Sequence, residues 1–201
     1  MIELFIKGGP LMWPLLLVSI ITVTVVIERL WFIWNEFKLR NHGDVESFLE
    51  NLEKKNEVEA RTIGARSTDF VVRVLNYALE HRQISLANAF LQASNRELSR
   101  FNRGLPVLDT VITLAPLLGL LGTVTGLIRS FGFLGDQELQ APTALTGGIA
   151  QALIVTAFGL IIAVTALVPY NYLNARSEHA RHELEDAGTQ MEMILRQDQP
   201  L

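Results

Sequence analysis

Thr123 and Thr156 place hydroxyl groups inside two apolar runs that carry no Asp, Glu, Lys, Arg or His. Gln151 lies about one helical turn from Thr156 on the second run. Hydroxyls and an amide donate and accept hydrogen bonds at depths where charged groups are expensive. They can line a path for water or protons, but none of them titrates to hold a proton there. The charge-free runs extend from Thr110 to Ile128 and from Leu139 to Ala175. A path built from them alone is incomplete, and its ionisable group must come from a partner. The local alternative is that each threonine bonds to a carbonyl one turn back in its own helix. Both readings stand on these residues alone.

The same runs carry small residues at helical spacing. Gly148, Ala152, Thr156, Gly159 and Ala163 follow at steps of four, four, three and four, and Gly119, Gly122 and Gly126 punctuate the other run. Small residues on one face let membrane helices approach closely where lipid gives no hydrophobic drive. The expectation is a hairpin of two packed helices. Thr123 and Thr156 are nearly equidistant from its centre near Leu139 and Gln140, so they are expected at similar depth.

These residues must be positioned by membrane spans. The 201-residue chain is 49% hydrophobic, with a mean hydropathy of +0.28. A hydrocarbon core of roughly 30 Å needs about 20 helical residues. The sequence predicts an all-α integral membrane protein with three transmembrane helices. Residues 1–34 form the N-terminus and first span, 35–106 a cytoplasmic helical region and 107–133 the second span. Residues 134–145 form a short connector, 146–173 the third span and 174–201 a C-terminal helix. Glu28 and Arg29 mark the inner end of a retained first span rather than a cleaved leader.

Charge sets the orientation. Arg29, Lys38, Arg40, Arg96, Arg100 and Arg103 flank the long segment, whereas the connector has only Asp136 and Glu138. Positive flanks stay cytoplasmic, which predicts N-out and C-in with long helices extending into the cytoplasm. Leu86, Phe90, Leu98, Phe101 and Leu105 recur at helical spacing and predict one long helix running into span two, kinked at Pro106. Asp44 to Ala60 reads as a solvated helix or loop. Leu184, Ala187, Met191 and Ile194 form an apolar stripe for a neighbouring helix or the chain's own long segment.

The composition also excludes classes. The net charge of -4 comes with no basic cluster, so no nucleic-acid partner is expected. There is no cysteine, and no GxSxG, P-loop or HExxH motif, so neither an enzyme nor a cofactor is expected. His179 and His182 lack a convergent third ligand, so no metal is expected. Asp109 and Arg129 read as edge markers of span two.

Ala115 to Gly126 (APLLGLLGTVTG) and Gly148 to Leu160 (GIAQALIVTAFGL) resemble the second- and third-span signatures of the ExbB/TolQ/MotA proton-channel family, closest to its ExbB-like members. Ile27-Glu28-Arg29-Leu30 resembles the segment after their first span. The resemblance implies a homo-oligomeric ring of five copies in the bacterial inner membrane, surrounded by lipid. It implies a single-span ExbD- or TolR-like partner bearing an intramembrane aspartate, and a TonB-like protein acting across the periplasm. Thr123 and Thr156 match the family's polar threonines, which implies a proton path past them. Where the best-known members have glutamate this chain has Gln151, which cannot titrate. The resemblance therefore implies an ion path that passes it through water and hydrogen bonding, with proton and sodium coupling as the two alternatives. A TolQ- or MotA-like stator and a non-conducting scaffold are the alternatives.

Overall fold

The computed structural model describes residues 2–132 and 141–196, which form eight helices and no strand. They are α1 (Ile2–Lys7), α2 (Met12–Lys38), α3 (His42–Glu53), α4 (Glu57–Arg66), α5 (Phe70–Glu80), α6 (Arg82–Asn102), α7 (Leu105–Gly132) and α8 (Ala141–Arg196). Three helical stretches, lying in α2, α7 and α8, are long and apolar enough to cross a membrane. An α-helix satisfies its own backbone groups, which is what hydrocarbon demands of a spanning segment. The chain divides into two compact units: Met1–Glu28 with Gly104–Tyr172, and Arg29–Arg103 with Leu173–Leu201.

The first unit has its core where Met12, Leu15 and Val18 of α2 meet Val111 and Ala115 of α7 and Val155, Ile162, Ala163 and Ala166 of α8. Outward faces keep large apolar side chains exposed, among them Trp13, Ile20, Leu117, Val124, Leu153 and Val164. Apolar faces of this extent are suited to lipid or to other membrane helices. The expected single helix into span two is in fact two helices. Helix α6 stops at Asn102, Gly104 takes a positive φ of 86°, and α7 restarts at Leu105. Pro106 therefore sits in a first helical turn, where its missing N–H costs nothing, and kinks no helix. The third span and the tail are one continuous helix of 56 residues, beginning at Ala141 and passing through Pro169. The rest of the expected connector, 134–140, lies outside the described residues.

The second unit is a helical body built around α5, whose Phe70, Val71, Val72, Val74, Leu75, Ala78 and Leu79 are all buried. Phe101 of α6 meets Phe70 edge-on at 5.1 Å and Phe32 of α2 at 5.7 Å. The segment expected to be solvated is amphipathic instead. Helix α3 buries Phe48, Leu49 and Leu52, and α4 buries Ala60. The tail stripe buries Leu184, Ala187 and Met191, and Gly188 abuts the ring of Phe90 on α6. It packs on the chain's own long segment.

Buried charges tie this unit together. Arg40 pairs with Asp69, whose side chain is fully buried, and lies 2.9 Å from Glu183 of α8. Asp69 also accepts from the backbone N–H groups of Val71 and Asn41, each at 2.8 Å, and so caps α5. A second cluster joins Arg73 to Glu36 at 2.8 Å and Glu97 at 3.1 Å. Burial opposes the Arg73 charge, but bonds and fields from Glu36 and Glu97 outweigh it and hold its pKa above the ordinary arginine value. Removing one partner of a buried pair strands the other. Arg40→Ala is therefore expected to lower stability by about 3–5 kcal/mol, read from thermal unfolding in detergent. A loss no larger than that of an exposed Arg181→Ala control would remove Arg40 from this role.

Candidate functional site

The candidate site is built on the antiparallel contact of α7 and α8, where missing side chains decide the distance. A Cβ added to Gly119 would lie 3.0 Å from the Thr156 Cα, and one on Gly159 only 2.5 Å from the Ala115 carbonyl oxygen. A Cβ on Gly122 would run into Val155, and one on Gly126 would lie 3.1 Å from both the Ala152 Cβ and the Gly148 oxygen. A Cβ on Gly148 would collide with the Ser130 hydroxyl. Ala152 and Ala163 are buried in the same unit. The structure thus places Gly119, Gly122, Gly126, Gly148, Ala152 and Gly159 in the α7–α8 contact, and Ala163 in the core beside it.

The threonines are used unequally. Thr123 donates to the Leu120 carbonyl of its own helix at 2.7 Å. Thr156 instead donates across the helix pair, to the Gly119 carbonyl at 3.0 Å. Inside α7 that same oxygen faces the backbone N–H of Thr123, four residues on. The Thr156 hydroxyl and the Thr123 backbone N–H therefore share one carbonyl, while the Thr123 hydroxyl sits on the next one, that of Leu120. The register sets Thr156 opposite Gly119 and leaves Thr123 one turn nearer the α7–α8 connection, rather than level with it. Both residues are half-buried, so each retains a solvent- or partner-facing side.

Gln151 does not meet the threonines. Its amide nitrogen donates to the Gly8 carbonyl at 3.4 Å, next to a positive-φ Gly9. It lines a pocket of about 190 Å³ with Gly8, Leu11, Gly122, Thr125 and Arg129. The other hydroxyls in α7 are satisfied locally: Thr113 donates to Asp109 and Thr110, and Thr125 to Leu121 and Gly122. Asp109 and Arg129 are exposed near the two ends of α7. His179 and His182 are exposed beside Glu183 and Glu185, and the described residues contain no metal-ligating group. Two contacts escaped the sequence reading: the bond from Thr156 to Gly119 and the one from Gln151 to Gly8. Only Gly8-Gly9-Pro10, a strong turn signal, pointed towards the second.

Three apolar helices with closely packed glycine faces agree with what comparison with known proteins shows. The model of the MotA/TolQ/ExbB proton channel family matches residues 49–186. This chain belongs to that family. Among relatives, an ExbB-like biopolymer transport protein of Synechocystis sp. is 35% identical over 205 residues, covering 98% of this chain and 80% of its own. The biopolymer transport protein exbB1 of Vibrio cholerae is 30% identical, covering 88% and 80%. The Tol-Pal system protein TolQ of Pseudomonas aeruginosa is 41% identical over 93 residues, covering 46% and 40%. Membership and the three spans make this a multi-pass membrane protein of a channel family.

Helix separation at the site can be tested directly. Gly159→Ala forces a methyl against the Ala115 carbonyl and is expected to cost about 1–3 kcal/mol in detergent unfolding. Gly147→Ala has nothing within 4 Å and serves as the control. It is expected to be neutral or stabilising by about 0.5–1 kcal/mol, because alanine favours helix. Equal effects would mean that Gly159 does not set the contact.

Proposed function

We propose that this chain is the ring-forming channel subunit of a proton-motive-force-driven motor in the bacterial inner membrane. Its N-terminus faces the periplasm, its C-terminus faces the cytoplasm, and it powers ExbB/ExbD/TonB-like transport at the outer membrane. Family membership supports a channel, and relatives named as biopolymer transport proteins support energy transduction for transport. Those relatives align over most of their length, whereas TolQ aligns over 40% of its own, which favours ExbB-like service over TolQ-like.

The observation that carries the reading is the pair of hydroxyls on adjacent carbonyls of α7, Thr156 on Gly119 from across the helix pair and Thr123 on Leu120 from within α7, in runs that carry no charged residue. Hydroxyls so placed can line a path for water and protons but cannot store a proton. A single-span ExbD- or TolR-like partner with an intramembrane aspartate supplies the missing group. Protonation neutralises that carboxylate and lowers the cost of presenting it to an apolar wall. The partner then shifts within a pentameric ring and pulls on a TonB-like protein.

The test has two arms. Mass spectrometry of the complex from native membranes is expected to recover several copies of this chain with a single-span protein bearing an intramembrane Asp. Recovery of the chain only as a homo-oligomer would favour a scaffold. In the second arm, Thr123→Val with Thr156→Val removes both hydroxyls and keeps their shape. Proton-driven activity is expected to fall by about tenfold or more, the factor for roughly 1.4 kcal/mol, with the ring still assembled. Normal activity in the double variant would take both residues out of the path.

A further inference from the structure

The N-terminal segment folds back on the helix pair through a tight turn. Helix α1 ends at Lys7, Gly9 takes φ +75°, and α2 begins at Met12. Two backbone bonds define the turn: the Gly9 N–H to the Ile6 carbonyl at 3.3 Å and the Met12 N–H to the Gly9 carbonyl at 3.1 Å. Phe5 meets Trp13 edge-on at 5.3 Å, and Phe5 and Leu11 pack against the core that includes Val155. Gly8 and Leu11 of this segment help to line the 190 Å³ pocket, together with Thr125, Arg129 and Gln151.

We infer that Gln151 is a positioning residue that latches the Gly8–Leu11 turn over this pocket. The position of one atom, its amide nitrogen, carries this reading. The Gln151 amide nitrogen donates to the Gly8 carbonyl, and a Cβ added to Gly9 would collide with that same nitrogen. Any side chain at Gly9 would therefore displace the amide, besides straining a backbone conformation that favours glycine. The pocket has polar groups in Thr125, Arg129 and Gln151. A turn held over it limits water entry at this end of the α7–α8 pair. This role differs from passing ions, and it stands whether or not protons travel past Thr123 and Thr156.

The chain has no cysteine, so two can be introduced for spin labels without a competing thiol. Ile6 and Phe131 are exposed, on α1 and near the end of α7. Full-length subunits labelled at Ile6→Cys and Phe131→Cys, diluted among unlabelled copies in membranes, give a distance distribution by pulsed electron resonance. The parent is expected to give one narrow peak. Gln151→Met keeps length and apolar packing but removes the donor, and is expected to raise the population at longer distance by about tenfold, the scale of one lost hydrogen bond. A narrow peak retained in Gln151→Met would overturn the latch. If Gln151→Met fails to assemble, Gln151→Ala with Gly9 unchanged decides the point: a peak as narrow as the parent's would sink the inference and a broadened one would support it.

Discussion

Everything in the membrane-like unit depends on how closely the backbones of α7 and α8 approach. Where Gly119 and Gly159 stand, even one methyl would come within 2.5–3.0 Å of backbone atoms of the facing helix. That closeness brings the Thr156 hydroxyl within reach of a carbonyl in another helix, which a threonine usually cannot find. It also leaves room beside Gly122 and Gly126 for a small pocket that Gln151 and Thr125 help to line. Packing and chemistry at this site are one constraint. The residues that bring the helices together also decide which polar atoms meet.

The second unit is held differently. Its core is a conventional apolar one around α5, but carboxylates and guanidinium groups sit at its seams rather than on its surface. Asp69 illustrates the economy of the arrangement, since one buried carboxylate caps α5, binds the Asn41 N–H and pairs with Arg40. Such groups add little net stability over an apolar substitute, but they penalise any rearrangement that separates them. A body built this way keeps one arrangement of its α2, α5, α6 and α8 segments.

Much of this was legible in the sequence, for physical reasons that can be named. Charge-free runs of sufficient length announce membrane helices, and steps of three and four between small residues announce their contact face. Other features were hidden. Charges between Asp44 and Ala60 masked Phe48, Leu49 and Leu52, which α3 turns inward. Counting residues from the middle of the connector set Thr123 level with Thr156, whereas packing of the glycines sets the register about one turn differently. Ion pairs such as Arg40 with Glu183 join residues far apart in sequence, and no local pattern encodes them. Gln151 was legible as a costly polar residue in need of a partner. Its partner, a backbone carbonyl near the N-terminus, left no side-chain signature.

The shared acceptor at Gly119 has an optical consequence. A peptide carbonyl that receives two hydrogen bonds has a more polarised C=O bond than the same carbonyl holding the helical bond alone. Its vibration is therefore displaced to lower frequency. An isotope label on this one carbon would isolate that absorption from the rest of the chain. The position of a single infrared band then tells whether Thr156 is in contact with α7. It would do so without an attached reporter group, a mutation or a bound partner.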